Sequence, residues 1–277
     1  MDDITKAIEW MNQVLSLTPD GHLDRPARLN NLGSTYQRRF HCLGELEDIN
    51  MAIHHQTAAV STTSSGQTGD AARRSNLGNS YYSRFKLSGD LADLDKALTY
   101  QSQALAFPFD GRSDRVELTI NLGASFQDRF ERLGDLEDLE KAIEYQVEAV
   151  NLSTDDHTRR PALLTNLGVA FERRFRRLGR LDDIDTALEY QNKAVTLTSD
   201  GHSDKASRLD NLGVSYRTRF ERLGSLWDDN ILKLRPKVYD AFYNNQNRIF
   251  IAFSMYCGIL QVYRMADFQY VLRIAGY

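Results

Sequence analysis

The sequence predicts an all-α solenoid of five helix-hairpin units preceded by a half unit. Three observations predict it. A frame of 45 residues recurs, from "NNLGSTYQRRFHCLGELEDINMAI" to "SNLGNSYYSRFKLSGDLADLDKAL" to "INLGASFQDRFERLGDLEDLEKAI" and twice more. Glycines stand in register at 33, 78, 123, 168 and 213, and again at 44, 89, 134, 179 and 224. Between each glycine pair, apolar residues step by three and four, the spacing of an amphipathic helix. An array of this kind grows by stacking, so the length of 277 residues does not imply a single closed core.

Each element follows in order. Leu29, Leu32, Tyr36, Phe40 and Leu43 mark the first helix of the first repeat, and Leu164, Leu167, Phe171, Phe175 and Leu178 that of the fourth. The second glycine ends this helix, because glycine takes the left-handed conformation at little cost. Asp90, Asp135 and Ser225 then stand where an N-cap is needed, with Glu45 and Arg180 as weaker substitutes. The second helix has its own stripe, as in Leu136, Leu139, Ala142, Ile143, Gln146 and Val150. Linkers such as "LTPDGHLDR" and "LTSDGHSDK" supply an Asp-Gly turn, with Asp24, Asp114 and Asp204 as expected caps of the next helix. The link "STTSSGQTGD" at 61–70 is low in apolar residues and reads as the most mobile joint.

Three segments follow from the frame: a half repeat over 1–20 (second helix only), the array over 21–229, and a divergent tail over 230–277. The frame holds through Asp228; Pro236 then falls where glutamine should stand. The aromatic-rich tail reads as a capping helix, an interfacial amphipathic segment or sequence not selected to fold. Both ends suggest a piece of a longer array, and as uncapped surfaces they are candidates for self-association.

Composition excludes several classes. Net charge is −4 with a pI near 5.9, so no cationic surplus exists to bind a phosphate backbone. Two cysteines, Cys42 and Cys257, form no disulfide framework. The start "MDDITKAIEW" lacks a secretory signal, and the longest apolar run, at 249–260, is shorter than the roughly 20 residues that span a bilayer. The expectation is a cytoplasmic protein without nucleic acid, membrane or cofactor. The six histidines are scattered, and no phosphate-cradling glycine loop, nucleophile elbow or metal-ligand spacing occurs, so no catalytic residue is assigned.

The residues also resemble a known repeat. Leu29-x2-Leu32-Gly33-x2-Tyr36 followed by Ala52, and Leu164-x2-Leu167-Gly168-x2-Phe171 followed by Ala187, are similar to the tetratricopeptide (TPR) pattern. The period departs from that pattern, at 45 rather than 34, and Gln56, Gln101, Gln146 and Gln191 replace its later aromatic residue, with Tyr100, Tyr145 and Tyr190 one position earlier. A period of 45 also suits HEAT and armadillo repeats, but the Leu-Gly-x2-aromatic motif favours the tetratricopeptide reading. The wording resembles repeats of fungal proteins that accompany CHAT protease domains or nucleotide-binding sensor modules. The resemblance implies a right-handed α-α superhelix whose first helices line a concave groove that binds a protein or peptide partner. It also leaves a second reading, a regulatory fragment of a larger protease or sensor.

On that groove, Asn31, Asn76, Asn121, Asn166 and Asn211 would form a ladder able to pair with the backbone of an extended peptide. The alternative is that each asparagine bonds the neighbouring helix and locks the stacking. One turn on, Gln37, Tyr82, Gln127, Glu172 and Arg217 vary between repeats and are candidates for specificity. Arg39, Arg84, Arg129, Arg174 and Arg219 precede an invariant phenylalanine, and Asp48, Asp93, Asp138 and Asp183 follow nine residues after the first four, which predicts a structural row of ion pairs, with an anion-binding row as the alternative.

Overall fold

The structure is a computed structural model that describes residues 2–62, 69–107, 112–153 and 159–225. Ten helices run through them: α1 (Asp2–Ser16), α2 (Arg25–Leu43), α3 (Leu46–Ser61), α4 (Asp70–Ser88), α5 (Leu91–Leu105), α6 (Arg112–Leu133), α7 (Leu136–Leu152), α8 (Arg160–Leu178), α9 (Leu181–Thr196) and α10 (Lys205–Ser225). No strand occurs among the described residues. The tail, Cys257 and most of the joint at 61–70 lie outside them. Four complete hairpins are therefore present, with α1 as the half repeat and α10 as the first helix of the fifth.

Two compact bodies divide the chain, Met1–Ala170 and Phe171–Tyr277. In the first, α2 pairs with α3, α4 with α5 and α6 with α7, while α1 packs on α2, α3 on α4 and α5 on α6. In the second, Phe175 packs with Ile184 and Ala187, and α9 packs with α10.

The hairpin turns follow from the second glycine. Gly44, Gly89, Gly134 and Gly179 all have φ between 71° and 75°, and each N–H bonds the carbonyl four residues back, on Phe40, Phe85, Phe130 and Phe175, at 2.7 Å. Only a residue free of Cβ strain holds that geometry cheaply. Asp90 and Asp135 cap the next helix as expected, accepting from the Ala92 and Glu137 N–H groups at 3.0 Å. The expectation for Asp24 fails. It makes no side-chain cap bond, its backbone is already helical, and its carboxylate faces Arg28. Asp204 is likewise drawn to Arg208 at 3.0 Å, and Asp114 lies inside the first turn of α6.

A cation at the start of the first helix serves the preceding helix. Arg25 donates to the carbonyls of Leu15 and Thr18, Arg160 to those of Val150 and Ser153, and Lys205 to those of Val195 and Thr198. These carbonyls close a helix C-terminus, where positive charge is favoured.

Each hairpin then repeats one core. Leu32, Leu77, Leu122 and Leu167 have no exposed surface, nor do Ala52, Ala97, Ala142 and Ala187. The first-helix aromatic is stacked: Tyr81 on Tyr100 at 5.8 Å, Phe126 on Tyr145 at 5.7 Å and Phe171 on Tyr190 at 5.9 Å. Arg84, Arg129 and Arg174 lie over these rings at 5.6, 5.4 and 4.9 Å from their centroids. The aromatic that the tetratricopeptide pattern places elsewhere has thus moved one residue earlier, and glutamine fills its former position.

In the first hairpin the stacking partner of Tyr36 is His55, with ring centroids 5.6 Å apart. Burial, with His54 beside it, lowers the His55 pKa from its ordinary value. A histidine held neutral in the fold takes up protons more readily when unfolded, so stability is lost as pH falls below the unfolded value of about 6.5. Replacing His55 with Tyr restores the rung seen in the other hairpins. Urea melts of the two proteins should diverge as pH falls from about 7.5 to about 5.5, with the variant holding its midpoint better. Parallel acid losses in both would remove His55 as the cause.

Candidate functional site

The five-fold Asn-Leu-Gly has three separable roles. The leucine fills the core. The glycine lets the two helices of a hairpin approach: a Cβ on Gly33, Gly78 or Gly123 would stand 2.6, 2.7 or 2.9 Å from Cγ of Gln56, Gln101 or Gln146. These glutamines are buried, and the amides of Gln101 and Gln146 are hydrogen-bonded. Gln101 donates to Asn79 Oδ1 at 3.1 Å and accepts from Ser125 Oγ of the next repeat at 2.9 Å. Gln146 donates to Gln127 Oε1 at 2.8 Å, and where a serine would meet its oxygen the chain has Ala170.

The asparagine is the third role, and it is not uniform. Asn76 donates to Asn30 Oδ1 at 3.2 Å, 46 residues back on the preceding first helix, so here it fastens the stack. Asn31, Asn121, Asn166 and Asn211 make no side-chain hydrogen bond among the described residues. Asn31 and Asn166 are exposed; Asn121 and Asn211 are half-buried. The two positions that serve Asn76 as partners correspond, for Asn166, to Ile120 and Ala124, which offer no side-chain acceptor.

The variable positions have divided in the same way. Tyr82 donates to Asp128 Oδ2 at 2.8 Å, and Lys86 reaches the same oxygen at 3.0 Å. Burial and this carboxylate push the Tyr82 pKa far up, so the phenol stays a donor. Glu172, also buried, accepts from Thr218 Oγ1 at 3.0 Å and pairs with Arg176. Gln127 is taken by Gln146, and Arg217 is exposed beside Glu221 at 3.8 Å. Gln37 and Tyr82 are the members of this set that line open space.

That space is a groove of about 520 Å³ across α2, α4 and α6. Gln37, Phe40 and His41 form one wall, Asn79, Tyr82, Ser83, Lys86 and Leu87 the floor, and Asn121 the far side. Successive first helices of the first body therefore share one face, and it carries three amides, apolar contact and a single lysine.

The predicted arginine row is structural within the hairpins. Arg39, Arg84, Arg129 and Arg174 grip Asp48, Asp93, Asp138 and Asp183 at 2.5 to 2.7 Å, with a second bond through Nε in each case. The aspartate hydrogen bond raises the Arg39, Arg84 and Arg129 pKa values. Sequence reading missed the second grip, 34 residues back on the previous second helix: Arg84 to Asn50 at 2.9 Å, Arg129 to Asp95 at 3.2 Å and Arg219 to Asp185 at 3.1 Å. The recurrence of a polar residue at 50, 95 and 185 was its only trace.

Among the described residues, no three His, Cys, Asp or Glu side chains gather as a metal site, and no helix is long and apolar enough to cross a membrane.

Comparison with known proteins agrees with this geometry. Residues 71–105, the second hairpin, match the tetratricopeptide repeat family. The fold is similar to that of BtubC (BKLC) from P. vanneervenii, at 17% identity and a TM-score of 0.56, over 86% of this chain and 90% of that one. It is also similar to the TPR-like repeats of a putative kinesin light chain from Podosopora anserina, at 14% identity and a TM-score of 0.51, over 80% of this chain and all of that one. A search of curated proteins returned no match.

Proposed function

From a chain that is an array of tetratricopeptide-like repeats, we propose a protein-interaction scaffold that holds an extended segment of a partner protein across α2, α4 and α6. The observation that carries this reading is the set of uncommitted amides on one open face. Asn121 and Gln37 bound the groove without a hydrogen bond of their own among the described residues, and Asn31 lies exposed on α2. A primary amide offers two donors and an acceptor, which match the N–H and C=O of an extended backbone without demanding a charge. Phe40 and Leu87 add apolar contact, and Lys86 gives the face one cation. Asn166 and Asn211 are the corresponding groups on α8 and α10. Recognition here is binding alone, with no step performed on the partner.

Selection of a displayed peptide library on the full chain tests the reading. Enriched peptides should lose more than about tenfold in affinity, near 1.4 kcal/mol, when Gln37 and Asn121 are changed together to Ala. Helicity and melting should not change. Asn76→Ala is the internal contrast: its amide is engaged with Asn30, so it should lower stability by about 0.5–1.5 kcal/mol and spare affinity. Failure to enrich any peptide, or affinity indifferent to the double variant, would remove the groove as the binding site.

A further inference from the structure

Where one first helix meets the next, the same three places come together, and two junctions show what they hold. Between α4 and α6, Tyr82 and Lys86 converge on Asp128, at 2.8 and 3.0 Å. Between α8 and α10, Glu172 accepts from Thr218 Oγ1 at 3.0 Å and pairs with Arg176, which also reaches Thr218 at 3.1 Å. The spacings are 46 and 42 residues in both junctions. Each set has one hydroxyl, one cation and one carboxylate, and the carboxylate accepts from the other two.

The junction of α2 with α4 has the same three places and no acid. They are Gln37, His41 and Ser83, at the same spacings. Gln37 stands where the fourth repeat has Glu172, as its amide counterpart, and Ser83 stands where the third has Asp128. All three line the groove, and none makes a hydrogen bond among the described residues. A hydroxyl, a primary amide and an imidazole therefore meet at one opening with donors to spare. The residues that line the groove include no carboxylate. Arg38 is exposed next to Gln37, and Lys86 keeps more than half of its side chain in solvent. Asp128 is already committed to Tyr82 and Lys86.

We propose, resting on the scaffold function above, that an acidic side chain of the held segment enters between α2 and α4 and supplies the carboxylate this junction lacks. The carboxylate accepts from Ser83 Oγ and the Gln37 amide, as Asp128 accepts from Tyr82 and Glu172 from Thr218. His41 has the place of the cations Lys86 and Arg176. Hydrogen bonds to a charged acceptor are stronger than neutral ones, so the site favours an acid over its amide isostere. A basic side chain at the same place meets no acid among the lining residues. The partner is thereby given a chemical class: an extended segment with aspartate or glutamate at one fixed position.

The test is selection on the full chain of a random peptide library displayed between fixed flanking sequences, so that only side chains can supply the acid. Enriched peptides should share one Asp or Glu, and changing it to Asn or Gln should cost at least about tenfold in affinity. Ser83→Asp, which copies the third repeat, and His41→Glu should each abolish that preference for the acid form over the amide form. A peptide with lysine in the acid's place should bind Ser83→Asp more tightly than it binds the parent, a gain that misfolding cannot produce. Peptides that respond to the Gln37 and Asn121 double change, yet share no acid or ignore its loss, would overturn the acid site and leave the scaffold function standing. A preference that survives both Ser83→Asp and His41→Glu would also overturn it. Failure to enrich any peptide would overturn both.

Discussion

Replacing Gly78 with Ala lowers the unfolding free energy by about 3 kcal/mol, although alanine is the better helix former by about 1 kcal/mol. The new Cβ would stand 2.7 Å from Gln101 Cγ, 3.1 Å from the Ala97 carbonyl oxygen and 3.2 Å from the Gln101 nitrogen. Two of those atoms are backbone, so a rotamer change cannot clear the site and α5 must move away from α4. The shift also strains the Gln101 bonds to Asn79 and Ser125, and a buried amide left unpaired costs about 1–3 kcal/mol. Gly213→Ala in dilute solution is the contrast. With no neighbour at hand it should stabilise α10 by up to about 1 kcal/mol. Urea unfolding of both variants measures the difference, and a Gly78→Ala protein as stable as the parent would refute the close approach of the helices.

Arg84→Ala should cost a similar amount, about 3 kcal/mol. Asp93, with 4% of its side chain exposed, would be left ionised without its bidentate partner, and Asn50 would lose the bond that ties the hairpin to the one before. Removal of the charge pair together, as Arg84→Met with Asp93→Leu, should recover much of the loss, since the single variant suffers chiefly from a stranded charge. Hydrogen exchange should quicken first in α4 and α5 and at the α3–α4 contact. A loss below about 1 kcal/mol would class the pair with ordinary surface bridges.

Much of this fold was legible because its determinants are local. A glycine between two amphipathic stripes fixes each turn, and the nine-residue interval from Arg84 to Asp93 spans one turn whose geometry hardly varies. The register between repeats was not legible. Asn76 fastens the stack through residues 46 and 42 positions earlier, and only a structure shows that those positions face it. Asn76 meets Asn30 and Ser34; the same spacing gives Asn166 an isoleucine and an alanine. The helix-closing role of Arg25, Arg160 and Lys205 was hidden for a related reason: these cations serve a helix other than their own. The glutamine row appeared as a departure from a pattern, and its burial against glycine appears only once the hairpin is closed.

The bonds from Tyr82 and Lys86 to Asp128 have a consequence for descent. Duplicated segments can be gained or lost freely while their touching sides are blank, since any copy then follows any other. Deleting the second repeat here would bring Gln37 and His41 to Asp128 in place of Tyr82 and Lys86. The carboxylate would face an amide and an imidazole instead of a phenol and an ammonium group. Such a shortened protein would lose the lysine–aspartate pair at its new junction. Divergence of these positions has therefore given the copies a fixed order, and the array can no longer contract by one whole repeat without penalty.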